Sequence, residues 1–278
     1  MQDIRIKNIS KAYGDKQVLN HISKEFPSGE TTVIMGASGC GKTTLLRILL
    51  GLEKADSGEV TGMPERVAVL FQEDRLCEDV SAYENIALVL ERKKTHAQRD
   101  AQKCRIEQEA AQVGITADDL KQNVMELSGG MRRRIALLRA LLYDVECVIL
   151  DEPFNFLNEE TADRLRSWLK RYCKEGNTVL ITSDNYPDVA DICTKLSVLK
   201  NRKLLRTDIN PAVFHQQKFL TVKGENKIEA SQNQWKDCLL RLIYEEDGET
   251  GYLFEGTADK LVLLLNCLLY TSPSPRDA

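Results

Sequence analysis

One stretch, TTVIM followed by GASGCGKT and TLLRILLGL (residues 31 to 52), constrains this chain more than any other. An unbroken apolar pentapeptide ahead of a helix reads as a strand buried on both faces, the kind found in parallel sheets covered by helices. The intervening loop fits G-x-x-x-x-G-K-[ST] in the strand-to-helix context that makes the pattern a phosphate cradle. Gly36, Ala37, Ser38, Gly39, Cys40 and Gly41 let consecutive backbone N–H groups converge on an anion at the helix N-terminus. Lys42 adds a point charge, the Thr43 hydroxyl is a ligand for Mg2+, and Thr44 completes the set.

Buried strands and amphipathic helices go on alternating downstream, which predicts an α/β fold with a mainly parallel sheet. RVAVLF (66–71), VECVIL (145–150) and TVLIT (178–182) read as buried strands. Leu165, Trp168, Leu169 and Tyr172 share one helix face; Met131, Ile135, Leu138 and Leu142 share another, at i, i+4, i+7 and i+11. DIRIKNI and QVLNHISKEF have the alternation of small antiparallel strands, and DSGEVTG (56–62) reads as turns. SAYE (81–84) is a capping box opening the helix NIALVLE, and 91–112 reads as a solvated helix or loop. After the strands LSVLK and KLLRT, the segments FLTVKG, WKDCLLRLIY, GYLFEG and TADKLVLLLNCL read as β-α-β-α. The expected organisation is a main domain over 1–215, with helices dominating about 73–143, and a small C-terminal α+β unit over 216–266. LLYTSPSPRDA breaks the pattern with two Ser-Pro steps, so 267–278 is expected to be a disordered, non-native tail that truncates the small unit.

With 278 residues and 42% apolar content, the chain can bury a substantial core. Lys and Arg total 38 against 42 Asp and Glu, so no bulk charge points to nucleic acid as a partner. Eight cysteines form no CxxC pair and read as reduced thiols; the three histidines, His21, His96 and His215, lack metal-ligand spacing. MQDIRIKNIS lacks the apolar core of a signal peptide, and no apolar run approaches the ~20 residues that span a bilayer. The expected location is cytoplasmic, with membrane contact made through a partner.

VILDE (148–152) is a second buried strand end, delivering Asp151 and Glu152 to the edge where ligands collect in parallel sheets. Asp151 is expected to hold Mg2+, directly or through water, and Glu152 to polarise an attacking water. Between the two acidic residues and the glycine loop lies LSGGMRRR (127–134). With these motifs in this order, the chain resembles the nucleotide-binding subunit of ABC transporters over about residues 2 to 205. The resemblance implies a P-loop NTPase with a mainly parallel sheet, an antiparallel β subdomain and a helical signature subdomain. It implies that Ser128, Gly129 and Gly130 close on the γ-phosphate of ATP held by the other subunit of a dimer. Gln72 in FQED matches the glutamine that touches Mg2+ and the attacking water and senses the membrane partner, and Tyr13 in KAYGDKQVL the aromatic that stacks on adenine. ATP and Mg2+ are the implied cofactors. The implied partners are a second ATP-binding subunit, identical or different, integral membrane permease subunits and an external solute-binding protein, with the chain peripheral on the inner membrane face. FQEDRL before a short helical region is similar to ATPases of importers for nitrate, sulfonates, taurine or thiamine precursors. The alternatives are a regulatory or asymmetric partner subunit with little turnover, a non-transport ABC ATPase, and a small-molecule P-loop kinase, in which LSGG has no task.

Three positions depart from that family. VLITSDNY (179–186) carries Ser183 where the family has a catalytic histidine, and a hydroxyl is shorter, neutral and unable to share charge. Asn155-Phe156-Leu157-Asn158 stands where the family has a small pair and then Leu-Asp, and Met131 replaces the glutamine after LSGG. Ser183 and Asn158 together predict slow or partner-dependent hydrolysis. Arg132 to Arg134 read as a solvated face of the signature helix, with some contact to phosphates or an acidic partner loop.

Overall fold

The computed structural model describes residues 2–91 and 94–209 and, beyond them, strands at 217–223, 239–246 and 249–255. Two compact units, Met1–Asp208 and Ile209–Ala278, divide ahead of the boundary expected after residue 215.

The first unit opens with β1 (Ile4–Tyr13) and β2 (Lys16–Phe26), an antiparallel pair as the alternation requires. The other edge of β1 is taken by β4 (Ser57–Thr61), a strand where turns were expected. Its side chains are mostly exposed, so it leaves no apolar alternation in the sequence; backbone pairing with β1 holds it, with only Val60 packed against the core. Gly58 there is imposed by proximity: a Cβ would sit 2.5 Å from the carbonyl oxygens of Lys7 and Asn8.

The main sheet has six strands in the order β5-β6-β7-β3-β8-β9. They are β3 (Thr31–Met35), β5 (Ala68–Leu70), β6 (Cys147–Asp151), β7 (Thr178–Ser183), β8 (Lys195–Lys200) and β9 (Lys203–Ile209). The four pairings from β5 through to β8 are all parallel. Every residue of β6 and β7 is buried, as a sheet covered on both faces demands. The register sets Met35 opposite Ser183 and Thr182 opposite Asp151, so three strands end together at one edge.

Apolar clusters hold the described residues of this unit, and two of them gather its strands and helices. One joins β1 and β2 to α1 (Lys42–Leu49) and to Ile149 and Leu180 of the main sheet. The other unites α2 (Ala82–Ala87), α3 (His96–Gln112) and α4 (Gly129–Leu142) through Ile86, Ile106, Ile135, Leu138 and Leu142. The expected capping box is present: Ser81 Oγ accepts the Glu84 N–H at 3.2 Å while the Glu84 carboxylate accepts the Ser81 N–H at 2.9 Å. That N–H and the Ser81 hydroxyl hold the Glu84 carboxyl below its ordinary pKa. The 91–112 region resolves as a helix over 96–112 with its own box, Thr95 with Gln98. Further on, α5 (Glu159–Lys174) buries Leu165, Leu169 and Tyr172, with Trp168 stacked on Tyr172 at 4.6 Å.

In the second unit, β10 (Gln217–Lys223), β12 (Glu249–Glu255) and β11 (Leu239–Glu246) form an antiparallel sheet in the order β10-β12-β11. β11 overturns the helix expected through WKDCLLRLIY. Glu246 pairs with Glu249 across the sequence Asp247-Gly248, the dipeptide that favours a tight hairpin, and the hairpin pairing with β12 overrides the helical spacing of the leucines. The helix expected at TADKLVLLLNCL and the tail lie outside the described residues.

Ile135 is fully buried among three helices whereas Leu88 is 60% exposed. Ile135→Ala is expected to lower unfolding free energy by about 2–5 kcal/mol in urea titration, and Leu88→Ala by less than about 0.5 kcal/mol. Equal losses would mean that the helical cluster is not a packed core.

Candidate functional site

The common edge of β3, β6 and β7 is where the chemistry-bearing residues collect, because each strand hands over to a loop there. The loop after β3 is tied to β7 through Gly36 N–H donating to the Ser183 carbonyl at 3.1 Å. A side chain at Gly36 would put its Cβ 2.6 Å from the Leu199 carbonyl oxygen, so the loop passes where only glycine fits. Lys42, on the first turn of α1, curls back and donates to the Gly36 and Ala37 carbonyls at 2.5 and 3.2 Å. Its ammonium also pairs with the Glu152 carboxylate at 2.9 Å, both side chains being at least nine-tenths buried. Thr43 Oγ1 donates to Asp151 Oδ2 at 2.7 Å.

The loop after β6 is strained. Glu152 has a φ of +50°, a left-handed value that side chains other than glycine rarely adopt. Its N–H is held by the Thr182 carbonyl and hydroxyl at 3.1 and 3.2 Å, and the same hydroxyl donates to Asp151 at 2.5 Å. Thr182 is thus a support that sequence reading missed; the register of β6 against β7 is what reveals it.

These groups floor a cavity of about 380 Å³ lined by Val18, Ser38, Gly39, Gly41, Lys42, Thr43, Thr44, Gln72, Glu152, Asn155 and Asp184. Of the residues expected at the site, Ser38, Gly39, Gly41, Lys42, Thr43, Thr44, Gln72 and Glu152 line this cavity. Val18 and Asp184 were not singled out in advance, although Asp184 directly follows Ser183. Cys40 stands beside the cavity without lining it, and burial pushes its thiol pKa up against the pull of Lys42. Tyr13 is 47% exposed with Lys11 Nζ 5.1 Å from its ring centre, and it is not among the lining residues.

Ser183 is buried, and its hydroxyl is engaged with its own turn: it donates to the Asn185 carbonyl at 3.0 Å and accepts the Asn185 N–H at 3.1 Å. It does not line the cavity; Asp184 does. Ser128, Gly129 and Gly130 are likewise not part of this cavity. Ser128 caps α4 by accepting the Met131 N–H at 3.3 Å, and a Cβ at Gly130 would meet nothing within 4 Å, so the helix start faces open space.

The arginine run departs from expectation. Arg133 is 3% exposed instead of solvated, and both terminal nitrogens donate to backbone carbonyls of the loops after β5 and β6. Arg132 and Arg134 also turn to backbone carbonyls, those of Leu127, Gly130 and Val113. Burial lowers the Arg133 pKa, opposed first by Asp74 and then by Asp151 and Glu152. The signal was present: Arg133, Ala136, Leu137 and Ala140 fall at i, i+3, i+4 and i+7, and all four are buried on a second face of α4.

The residues fit a magnesium nucleotide. Thr43 and Asp151 offer two hard oxygen donors side by side, the donor type that suits Mg2+ sharing its shell with phosphate oxygens and water. Among the described residues, no helix is long and apolar enough to cross a membrane.

The family described as ABC transporter matches residues 19–155. The sulfate/thiosulfate import ATP-binding protein CysA of Burkholderia mallei (strain ATCC 23344) is 34% identical over 224 residues, 76% of this chain and 64% of that relative. The chain thus spans just under two thirds of that relative's length. The protein of the same name from Acinetobacter baylyi (strain ATCC 33305 / BD413 / ADP1) is 32% identical over 259 residues, 83% of this chain and 72% of that relative. A bacterial ABC transporter cassette solved as a dimer shares the fold at a TM-score of 0.65 and 24% identity, over 73% of this chain and 97% of its own. An ATP-binding subunit of an ABC transporter does so at 0.67 and 19% identity, over 77% of this chain and 92% of its own. With the matched segment running from β2 through both phosphate-site loops, the chain belongs to the ABC transporter family of ATP-binding proteins.

Proposed function

We propose that the chain binds Mg-ATP in the glycine-loop cavity and hydrolyses it slowly as the ATP-binding subunit of a transporter for a small anionic solute. The observation that carries this reading is the convergence of Lys42, Thr43, Gln72 and Glu152 on one cavity at the end of a parallel sheet. Backbone N–H groups at the start of α1 and the Lys42 ammonium stabilise the phosphate charge. Thr43 and Asp151 would hold Mg2+, which when bound draws electron density from the phosphate oxygens. Glu152, fixed by its ion pair, accepts hydrogen bonding from the attacking water and takes up its proton, while Gln72 orients that water.

A second ATP-binding subunit is part of the reading. The start of α4 at Ser128, Gly129 and Gly130 is an open helix N-terminus suited to a γ-phosphate held by another copy. Phe156, on the loop after Glu152, is 83% exposed with a φ of +65°, an apolar side chain suited to burial against that copy. A cytoplasmic position, peripheral on the inner membrane face and docked on permease subunits, agrees with the relatives' naming as import ATP-binding proteins. Sulfate/thiosulfate import by those relatives supports an anionic solute, delivered by an external solute-binding protein. Slow turnover is supported by Ser183, whose hydroxyl is committed to Asn185, and by Asp184, whose carboxylate borders the phosphate cavity.

Mg-ATP hydrolysis measured across a wide protein concentration range is expected to rise faster than linearly and to fall at least ~100-fold in Glu152→Gln with ATP binding retained. Phosphate transfer to a metabolite, or turnover unaffected by Glu152→Gln, would overturn the reading. Ser183→His restores an imidazole and is expected to raise kcat about tenfold or more, by supplying a preorganised donor. An unchanged kcat in a dimer that otherwise turns over would remove Ser183 as the cause of slow hydrolysis.

A further inference from the structure

Arg133 occupies a position that the reaction as described leaves without a task. Its Nη1 donates to the Phe71 carbonyl at 2.6 Å, the Gln72 carbonyl at 3.3 Å and Asp74 Oδ1 at 3.3 Å, all in the loop after β5. Its Nη2 donates to the Asp151 carbonyl at 3.3 Å and the Glu152 carbonyl at 2.8 Å, in the loop after β6. One planar group therefore spans the two loops that carry the proposed water-orienting and proton-accepting residues. The helix bearing it begins at the LSGG cap, five residues earlier in the numbering, at Ser128.

We infer that Arg133 is a positioning residue that fixes Glu152 and Gln72 relative to each other and to the signature helix. The inference rests on the hydrolytic reading for its effect on rate, and on geometry for the rest. Glu152 is held at φ +50°, and a residue there persists only where its surroundings over-determine it. Its N–H is pinned by Thr182 from one side and its carbonyl by Arg133 Nη2 from the other. With both backbone polar groups of Glu152 tethered, its carboxylate is aimed at Lys42. Without Arg133, the carbonyl end loses its anchor and the loop can relax from the left-handed conformation. Arginine suits the task because a rigid fork reaches two loops at once, whereas a lysine ammonium is a single point that serves one or the other. Among the described residues Asp74 is the one carboxylate in direct contact, and it fixes the face of the guanidinium turned to Gln72.

Arg133→Lys separates this role from simple stability, with Arg139→Lys as control. Arg139 is on the same helix and donates to the Asp74 carbonyl at 3.0 Å, and no hydrogen bond joins it to Asp151 or Glu152. In Arg133→Lys, kcat is expected to fall about 10- to 100-fold, the scale of a small misplacement of reacting groups, while the Kd for Mg-ATP stays within about threefold. In Arg139→Lys both stay within about threefold. Loss of kcat and Mg-ATP affinity together, or kcat unchanged in Arg133→Lys, overturns the inference. Hydrogen exchange of the ATP-free protein supplies a readout independent of turnover: amides at 71–74 and 152–155 are expected to exchange about tenfold faster in Arg133→Lys and not in Arg139→Lys. If the wild type shows no turnover above Glu152→Gln, the hydrolytic reading falls while the exchange result decides the tether by itself. Should Arg133→Lys fail to fold, Asp74→Asn, which loosens only the Gln72 side, is expected to speed exchange at 71–74 alone; acceleration at neither segment overturns the inference.

Discussion

Everything at the proposed site follows from one register. Parallel pairing sets Met35 level with Ser183 and Asp151 level with Thr182, so the turns into the glycine loop, the Glu152 loop and the Ser183 loop leave the sheet at the same height. Parallel hydrogen bonding permits a two-residue slip only by displacing a buried side chain on both faces, and in β6 and β7 every residue is buried. The apolar core thereby fixes the spacing of charged groups it never touches. This is why Thr43 and Asp151, from elements separated by 108 positions in the chain, meet at 2.7 Å.

Burying those charges has a cost that the local network offsets. Lys42 and Glu152 are at least nine-tenths buried and satisfy each other, with the Lys42 ammonium further hydrogen-bonded to two carbonyls of its own loop. Pairs of this kind are retained where they specify geometry, since replacing one partner leaves the other as an uncompensated charge. Arg133 adds a second buried cation behind the loops, facing mostly backbone carbonyls and one carboxylate. Carbonyls collect there because the strand ends of a parallel sheet all point the same way. The network is therefore a property of the fold's edge as much as of its side chains.

That edge was readable from sequence where local pattern and tertiary role agree. The glycine loop, the VILDE strand and the i, i+4, i+7 face of α4 each carry their own signature, and each forms as expected. The misreadings share one physical cause. β4 is exposed and held by backbone bonds to β1, so its composition says turn. β11 has leucines that suit either period, and cross-strand pairing decides between them. Arg133 sits in a basic run that resembles a solvated face, and only the second buried stripe of α4 betrays that it points inward. In all three the deciding partner lies outside the segment: for β4 and Arg133 it is distant in sequence, and for β11 it is the neighbouring strand of a hairpin. Ser183, expected at the phosphates, is held instead by a local turn with Asn185, and Tyr13, expected near a nucleotide base, has Lys11 beside its ring.

The electrostatics of the cavity bear on what it can bind. Its lining brings two carboxylates, Glu152 and Asp184, against one ammonium, Lys42, with the buried Asp151 carboxylate behind Thr43. Side chains alone would repel a polyphosphate. Attraction must come from the backbone N–H groups around α1, whose dipoles are oriented without any side chain, and from a divalent cation beside Thr43 and Asp151. An imidazolium at position 183 would have shifted that balance toward the phosphates; a serine turned onto Asn185, followed by an aspartate at the rim, shifts it away. On the proposed reading, the glycine loop keeps the capacity to cradle phosphate, while the residues after β7 offer less stabilisation to charge that develops as phosphate is cleaved. On the same reading, phosphate binding depends mainly on the end of β3, whereas turnover depends on the ends of β6 and β7 together, where Glu152 and Ser183 stand.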